Sequence, residues 1–324
     1  KSFLLRNDKG TFTDVTSSIF KECETLGMIT DLDAGDLDGD GKIELVVAGD
    51  WMPIRVFAFD GKKFEEKTND FGLEKTNGWW KSISLNDIDD DGDLDILAGN
   101  IGLNNRFKAS ANFPITLVYN DFDGNNSLDP ILCYYWQNKL YPFAGRDAII
   151  SQIPRLKKKF TRYTPYASAT IQDIFSKEEL NKSTYLYAYT FENTIFKNEN
   201  KQMRAISIPY KVQLSPVYDF IVNDFNGDGK KDILMAGNYL YSDTETGEMD
   251  AGNGSLLLQQ ADGSFAFVEN RDHGFWAQRE VRELKSIQLA DGRAAIITGN
   301  NRGPIEISTC LKAIHHEPNA GVSH

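Results

Sequence analysis

The sequence predicts an all-β chain built from repeated four-stranded antiparallel units, on three observations. An acidic nine-residue pattern recurs four times, as DLDGDGKIE (36–44), DIDDDGDLD (87–95), DFDGNNSLD (121–129) and DFNGDGKKD (224–232). Three copies run into an apolar stretch that ends in Ala-Gly and a short polar residue: ELVVAGD, DILAGN and DILMAGN. The stretches FLLRNDKGTFTDVT (3–16), RVFAFDGKKFEEKT (55–68) and LLLQQADGSFAFVE (256–269) each place two alternating strands around a Gly turn, with Phe12, Phe64 and Phe265 in equivalent places. Strand, acidic loop, strand and hairpin together make a unit of about 40 to 50 residues, the anatomy of a β-propeller blade.

The elements follow in order. A hairpin opens the chain at residues 3–16 without a preceding acidic loop, and the units led by loops 36, 87, 121 and 224 follow it. A decayed fifth copy, LADGRAAIITGN (289–300), keeps Asp291 and Gly292 but has Ile287 and Leu289 where acids belong, so it is expected to bind no metal. Five blades are favoured, with six or seven as alternatives, in a single propeller over residues 1–310 followed by a disordered tail at 311–324. The opening hairpin is expected to complete the last blade and so remove the open strand edges. Loops 87 and 121 are unusually close and loops 121 and 224 unusually far apart, which places an insertion at about 137–192. Its signals are helical: Ile149, Ile153, Leu156 and Phe160 at helical spacing to pack it on the propeller, Pro154 at a helix start, and Ser176 with Glu179 as a capping box.

Composition excludes several classes. The 324 residues are 41% hydrophobic and 25% charged, a globular balance, with no run of eighteen apolar residues and no signal-peptide core at the start. A net charge of -12 disfavours nucleic acid. Cys23, Cys133 and Cys310 are far apart, which argues for unpaired thiols and against a zinc knuckle or a disulfide framework. There is no HExxH, GxSxG or phosphate loop, and three of the four histidines fall in the last residues of the chain.

The repeated loop carries the chemistry. Its template, D-x-[DN]-x-[DN]-[GN]-x-x-[DE], offers side-chain oxygens at positions 1, 3, 5 and 9 and a backbone carbonyl at position 7. That is the donor set of Ca²⁺, a hard cation taking six to eight oxygens. Position 6 is Gly41, Gly92, Asn126 or Gly229, types that tolerate a left-handed turn. An EF-hand needs a bidentate Glu at position 12, where this chain has Val47, Ala98, Leu132 and Met235, so that reading fails. Acidic turns between strands are the plainer alternative, which four matched copies disfavour. Positions 1, 3, 5 and 9 of the four templates hold fourteen carboxylates, so four Ca²⁺ would offset most of the negative charge.

These loops and strands resemble the FG-GAP or VCBS repeat, which builds the propeller of integrin α subunits. The resemblance implies calcium cages at Asp36, Asp38, Asp40 and Glu44, and at Asp87, Asp89, Asp91 and Asp95. Two more fall on Asp121, Asp123, Asn125 and Asp129, and on Asp224, Asn226, Asp228 and Asp232. The segments GWWKSISLNDIDDDGDLDILAGNIGLNNRFKAS, YPFAGRDAIISQIPRLKKKF and PYASATIQDIF look like Bacteroidetes-type surface proteins related to the ASPIC/UnbV and cartilage-acidic-protein group. That likeness implies the C-terminal propeller of a longer chain. The ASPIC/UnbV sequence is not evident, so no function tied to it carries over.

The expected function is a non-catalytic, calcium-binding propeller that serves as a binding or accessory module of a bacterial cell-surface protein, with a glycan or protein ligand. A metal-assisted polysaccharide lyase or hydrolase is the alternative. Calcium modules of this kind bind in the ~10⁻⁴ to 10⁻³ M range of extracellular sites, which implies a periplasmic or extracellular place, attached at the outer-membrane surface. Tyr135, Trp136, Tyr141, Tyr163 and Tyr166, beside the basic run Arg155 to Arg162, form the candidate ligand surface. Against this stands a plainer reading of Tyr185, Tyr187 and Tyr189 as one face of a strand and of the lysines as a solvated helix face. Trp51, Trp79 and Trp80 are expected in the core or a channel.

Overall fold

A computed structural model describes residues 1–242 and 246–309; Cys310 and the tail lie outside these. The chain opens with a hairpin, β1 (Leu5–Asp8) and β2 (Thr11–Asp14), a short helix α1 (Thr16–Ile19) and a 3-10 turn over Lys21–Thr25. The first blade holds β3 (Met28–Gly35), β4 (Glu44–Met52), β5 (Arg55–Phe59) and β6 (Phe64–Glu66), with β7 (Gly78–Trp79) paired along the end of β4. The second blade begins with β8 (Ser82–Asn86) and β9 (Asp95–Gly99) and then breaks off.

The chain next builds a separate sheet from β10 (Ile115–Asn120), β11 (Asp129–Trp136) and β12 (Lys139–Pro142). Five short helices follow: α2 (Arg146–Gln152), α3 (Leu156–Lys159), α4 (Tyr163–Ala167), α5 (Ile171–Ile174) and α6 (Lys177–Asn181). Strand β13 (Thr184–Ala188) then pairs with β10 to complete that sheet. Only afterwards do β14 (Thr194–Glu199) and β15 (Gln202–Ile206) return to finish the second blade in the order β8-β9-β14-β15. The third blade is β16 (Val217–Asn223), β17 (Asp232–Gly237), β18 (Ser255–Gln259) and β19 (Phe265–Val268). After α7 (Asn270–His273) the fourth has three strands, β20 (Val281–Gln288), β21 (Ala294–Asn300) and β22 (Glu306–Ser308).

The architecture is all-β and propeller-like: residues of β3, β8, β16 and β20 line one channel, and successive blades pack face to face. Val46, Val56, Trp80, Ile96 and Phe196 fill the space between the first and second blades. Leu97, Ile195, Phe220, Ile233 and Leu257 fill the next, and Leu234, Leu256, Phe275, Leu284 and Ile296 the third. Aspartates on the channel strands bracket the neighbouring blade. Asp31 and Asp33 accept from the backbone of Ile83 and Leu85 at 2.9 and 2.8 Å, and Asp219 accepts from Leu284 at 2.6 Å.

The Ala-Gly endings have a steric cause. A Cβ on Gly99 would lie 2.1 Å from the Val217 carbonyl of the next blade, and one on Gly237 would lie 1.8 Å from the Pro216 carbonyl. Only glycine fits where backbone approaches that closely.

Three expectations are corrected here. The 121 loop does not head a blade in sequence; its sheet is nested between the second and third strands of the second blade, which accounts for both irregular loop spacings. The excursion thus begins after Asn100, although its helices fall within 137–192. Ile149, Ile153, Leu156 and Phe160 are buried as expected, but against Val118, Ile131 and Cys133 of the nested sheet and not against the ring. The sheet's other face, with Ile115 and Ala188, packs beside Trp51, Trp79 and Ile101 at the channel end opposite the acidic loops.

Among the described residues the opening hairpin pairs only within itself, and Ile307 of β22 and the preceding Ile305 are exposed. Every residue of β1 and β2 is exposed, Leu5 and Phe12 included, so the hairpin buries no side chain against a blade. Phe20, Cys23 and Leu26 behind it instead cover Val47 and Phe57 of the first blade. Pro154 also precedes α3 by two residues and is not its first residue, whereas the Ser176 and Glu179 capping box is present.

Candidate functional site

The acidic loops share one construction, complete in the first, third and fourth; in the second, Asp87 accepts from Gly92 alone within its own loop, at 3.2 Å. The position-1 carboxylate turns back into its own loop: Asp36 accepts from the backbone of Gly39, Asp40 and Gly41 at 2.8 to 3.2 Å. Asp121 does the same with Gly124, Asn125 and Asn126, and Asp224 with Gly227, Asp228 and Gly229. That path needs positive φ at positions 4 and 6, supplied by Gly39 (72°) and Gly41 (83°) and, in the second loop, by Asp90 (58°) and Gly92 (94°). The sequence reading noted position 6 and missed position 4, where Asp90 is a side chain that tolerates the left-handed region.

Position 9 is buried and closes the loop. Glu44, Asp95, Asp129 and Asp232 accept from the position-2 backbone of Leu37, Ile88, Phe122 and Phe225 at 2.9 to 3.0 Å. Those position-2 residues are apolar in every copy, a signal the template overlooked, because each is a plug into the packing below; Leu37, Ile88 and Phe122 are buried. The next blade then grips the plug. Asn198 donates from Nδ2 to the Leu37 carbonyl at 2.8 Å, and Gln259 from Nε2 to the Ile88 carbonyl at 3.1 Å. The backbones of the same two residues donate to Asp95 (2.8 Å) and Asp232 (3.0 Å). Loop and blade interface are therefore one hydrogen-bonded unit.

The remaining oxygens converge. Ligand atoms of Asp36, Asp38 and Asp40 lie within 4.8 Å of one another, as do those of Asp87, Asp89 and Asp95 and those of Asp121, Asp123 and Asp129. Two oxygens across one Ca²⁺ are separated by at most about 5 Å, twice the ion-to-oxygen distance. In the fourth loop Asn226 replaces one acid but keeps an oxygen, which accepts from Asp228 at 2.9 Å. An all-oxygen donor set of this kind fits a hard divalent cation better than zinc or copper.

Charge is unbalanced at the second loop. Asp87 Oδ1 and Asp89 Oδ1 are buried with no hydrogen-bond partner among the described residues. Lys197 donates to Asp89 Oδ2, and Lys231 to Asp90 at 2.6 Å, so ammonium groups reach part of the cluster. Burial, with Asp89 and Asp91 adding repulsion, pushes Asp95 up to about 6. Burial likewise raises Glu44 and Asp232, again with acidic neighbours contributing. At the decayed copy the Asp291 carboxylate is engaged by Arg293 at 2.7 Å.

Position 12 is strand core, as expected: Val47, Ala98 and Met235 are buried. His273, the histidine outside the tail, is buried and accepts from the Phe275 backbone through Nδ1 at 3.2 Å, a structural role at the end of α7.

The expected aromatic surface does not assemble. Tyr166 is buried in the nested sheet's core and donates to the Ala144 carbonyl at 2.7 Å. Tyr134 pairs with Tyr141 and so shares its face, leaving Tyr135 on the opposite face against the helices. Trp136 and Tyr163 are exposed, and Tyr163 donates to Asp147 at 2.6 Å. A strand alternates faces at each residue, so neighbours in sequence were divided. Of the tryptophans, Trp80 is core, while Trp51 and Trp79 line the channel.

Residues 36–98, covering the first two acidic loops and the strands after them, match the model of the FG-GAP-like repeat. No curated protein matches the chain.

Proposed function

We propose that this chain is a calcium-stapled propeller that works as a non-catalytic binding module outside the cytoplasm, presenting a glycan or protein site. The observation that carries the metal reading is the pair of buried oxygens on Asp87 and Asp89, unpartnered among the described residues, in a cluster with Asp95 whose ligand atoms all lie within 4.8 Å of one another. A buried acceptor without a donor costs about 1 to 3 kcal/mol, and a bound cation removes that cost at both oxygens. FG-GAP-like repeats are in general binding modules, which favours ligand capture over turnover. The weak affinity typical of extracellular calcium modules favours a periplasmic or cell-surface setting.

The test is thermal melting with metal removed and restored. EDTA should lower the melting temperature by many degrees, Ca²⁺ should restore it better than Mg²⁺, and Asp89→Ala should weaken one site while sparing the rest. Melting indifferent to EDTA and Ca²⁺ would reduce the loops to acidic turns.

A further inference from the structure

The channel carries chemistry that the metal loops do not use. Strand β4 bulges at its end, where its pairing with β7 slips between Asp50 and Met52, and Trp51 between them sits at φ 65°. A bulky residue in the left-handed region is a genuine outlier, and such strain concentrates where a side chain must be aimed for a task. The Trp51 ring meets Trp79 edge-on at 5.1 Å; Trp79 packs in turn on Phe107 and Phe191 at 5.0 and 4.8 Å, and its buried Nε1 has no partner among the described residues. Beside them Lys81 donates to Asp50 at 2.7 Å, and on β16 and β20 the Arg282 guanidinium lies 3.7 Å over Tyr218. Trp51, Trp79, Lys81, Asp50, Arg282 and Tyr218 line one cavity of about 920 Å³.

We propose that this channel is a carbohydrate-binding site, with Trp51, backed by Trp79, stacking on a pyranose ring and Asp50 and Lys81 bonding its hydroxyls. Flat indole surfaces match the C–H face of a sugar. Alternating carboxylates and ammonium groups match hydroxyls, which both donate and accept. The volume falls in the range of small-molecule sites. Among the described residues five carboxylates and three cations line the cavity, so neutral or amino sugars suit it and acidic polysaccharides do not. The assignment rests on the binding-module reading and is independent of calcium.

Tryptophan fluorescence titrations with a panel of neutral and amino-sugar oligosaccharides, tetragalacturonate and a mixed tetrapeptide pool test it. Saturable binding of a neutral or amino sugar is expected, with none for tetragalacturonate or peptide. Trp51→Ala and Trp51→Gly should each weaken binding at least tenfold, and the Gly variant should melt higher than the Ala variant because glycine accepts φ 65°. Lys81→Gln, a wall residue, should retain the fold and weaken binding several-fold. Binding confined to the acidic or peptide probes, sugar binding untouched at Trp51 and Lys81, or no sugar binding at all overturns the proposal. Sugar binding untouched by these variants would leave the binding module standing with its site elsewhere. Melting in Ca²⁺, measured on the same samples, reports the metal reading separately.

Discussion

Asn198 offers the sharpest mechanical test of how the blades are joined. Its Nδ2 donates to the carbonyls of Leu37 and Leu94 at 2.8 and 3.2 Å, and its Oδ1 accepts from the Lys201 backbone at 2.9 Å. The side chain is 2% exposed, so water has little access to replace it. Asn198→Ala deletes all three bonds and leaves their partners short. At about 1 kcal/mol net per bond, the loss is about 3 kcal/mol, with more if the orphaned groups stay dry. For a chain of 324 residues that corresponds to a melting shift of about 4 to 5 °C. Calorimetry of wild type and variant, in EDTA and again in Ca²⁺, reads it directly. The variant should also loosen the 36–44 loop, because the Leu37 carbonyl is part of it. A melting temperature within about 1 °C of wild type would refute the claim that the amide clip joins the first two blades.

Three further outcomes are expected. Gly237→Ala should destabilise by about 3 kcal/mol or more, since its Cβ would meet the Pro216 carbonyl, while Gly299→Ala, whose nearest neighbour is 3.4 Å away, should be nearly neutral by denaturant melts. Asp121→Ala should increase amide hydrogen exchange in residues 115–188 and leave the ring strands unchanged, because that loop belongs to the nested sheet. Burial raises Asp31 and Asp219. A carboxyl raised on folding favours the folded state when protonated. Its contribution is therefore fully present below the unfolded value of about 4 and is lost as pH rises past the folded one. In EDTA, Asp219→Asn should flatten the fall of stability with pH above about 4; an unchanged slope would show that this carboxyl does not carry it.

How much could be read beforehand followed from range along the chain. The loops were legible because their chemistry is local: nine consecutive residues fix the φ pattern, the inward carboxylate and the buried position 9. The alternation of β17, with Leu234 and Met235 facing different blades, was equally local. The nesting was not, because nothing near Gly99 states that β9 pairs with β14, where Ala98 meets Thr194 and Ile96 meets Phe196. The aromatic surface failed for a related reason: Tyr135 and Tyr141 are divided by the register of β11 and β12, and register depends on the partner strand. The sequence places Trp51 in the core or a channel without choosing between them, and its left-handed backbone comes from the β4 bulge, which only the β7 pairing reveals.

The central claim is that the acidic loops are cation cages, and direct counting tests it best. The purified protein, stripped with EDTA and dialysed against about 10 mM Ca²⁺, roughly tenfold above the weak end of extracellular affinities, should hold close to four ions per chain above the buffer level by atomic emission. Asp87→Ala, Asp121→Ala and Asp224→Ala should each lower that count by one. Calcium at the level of the dialysis buffer, in a protein that remains folded, would contradict the account.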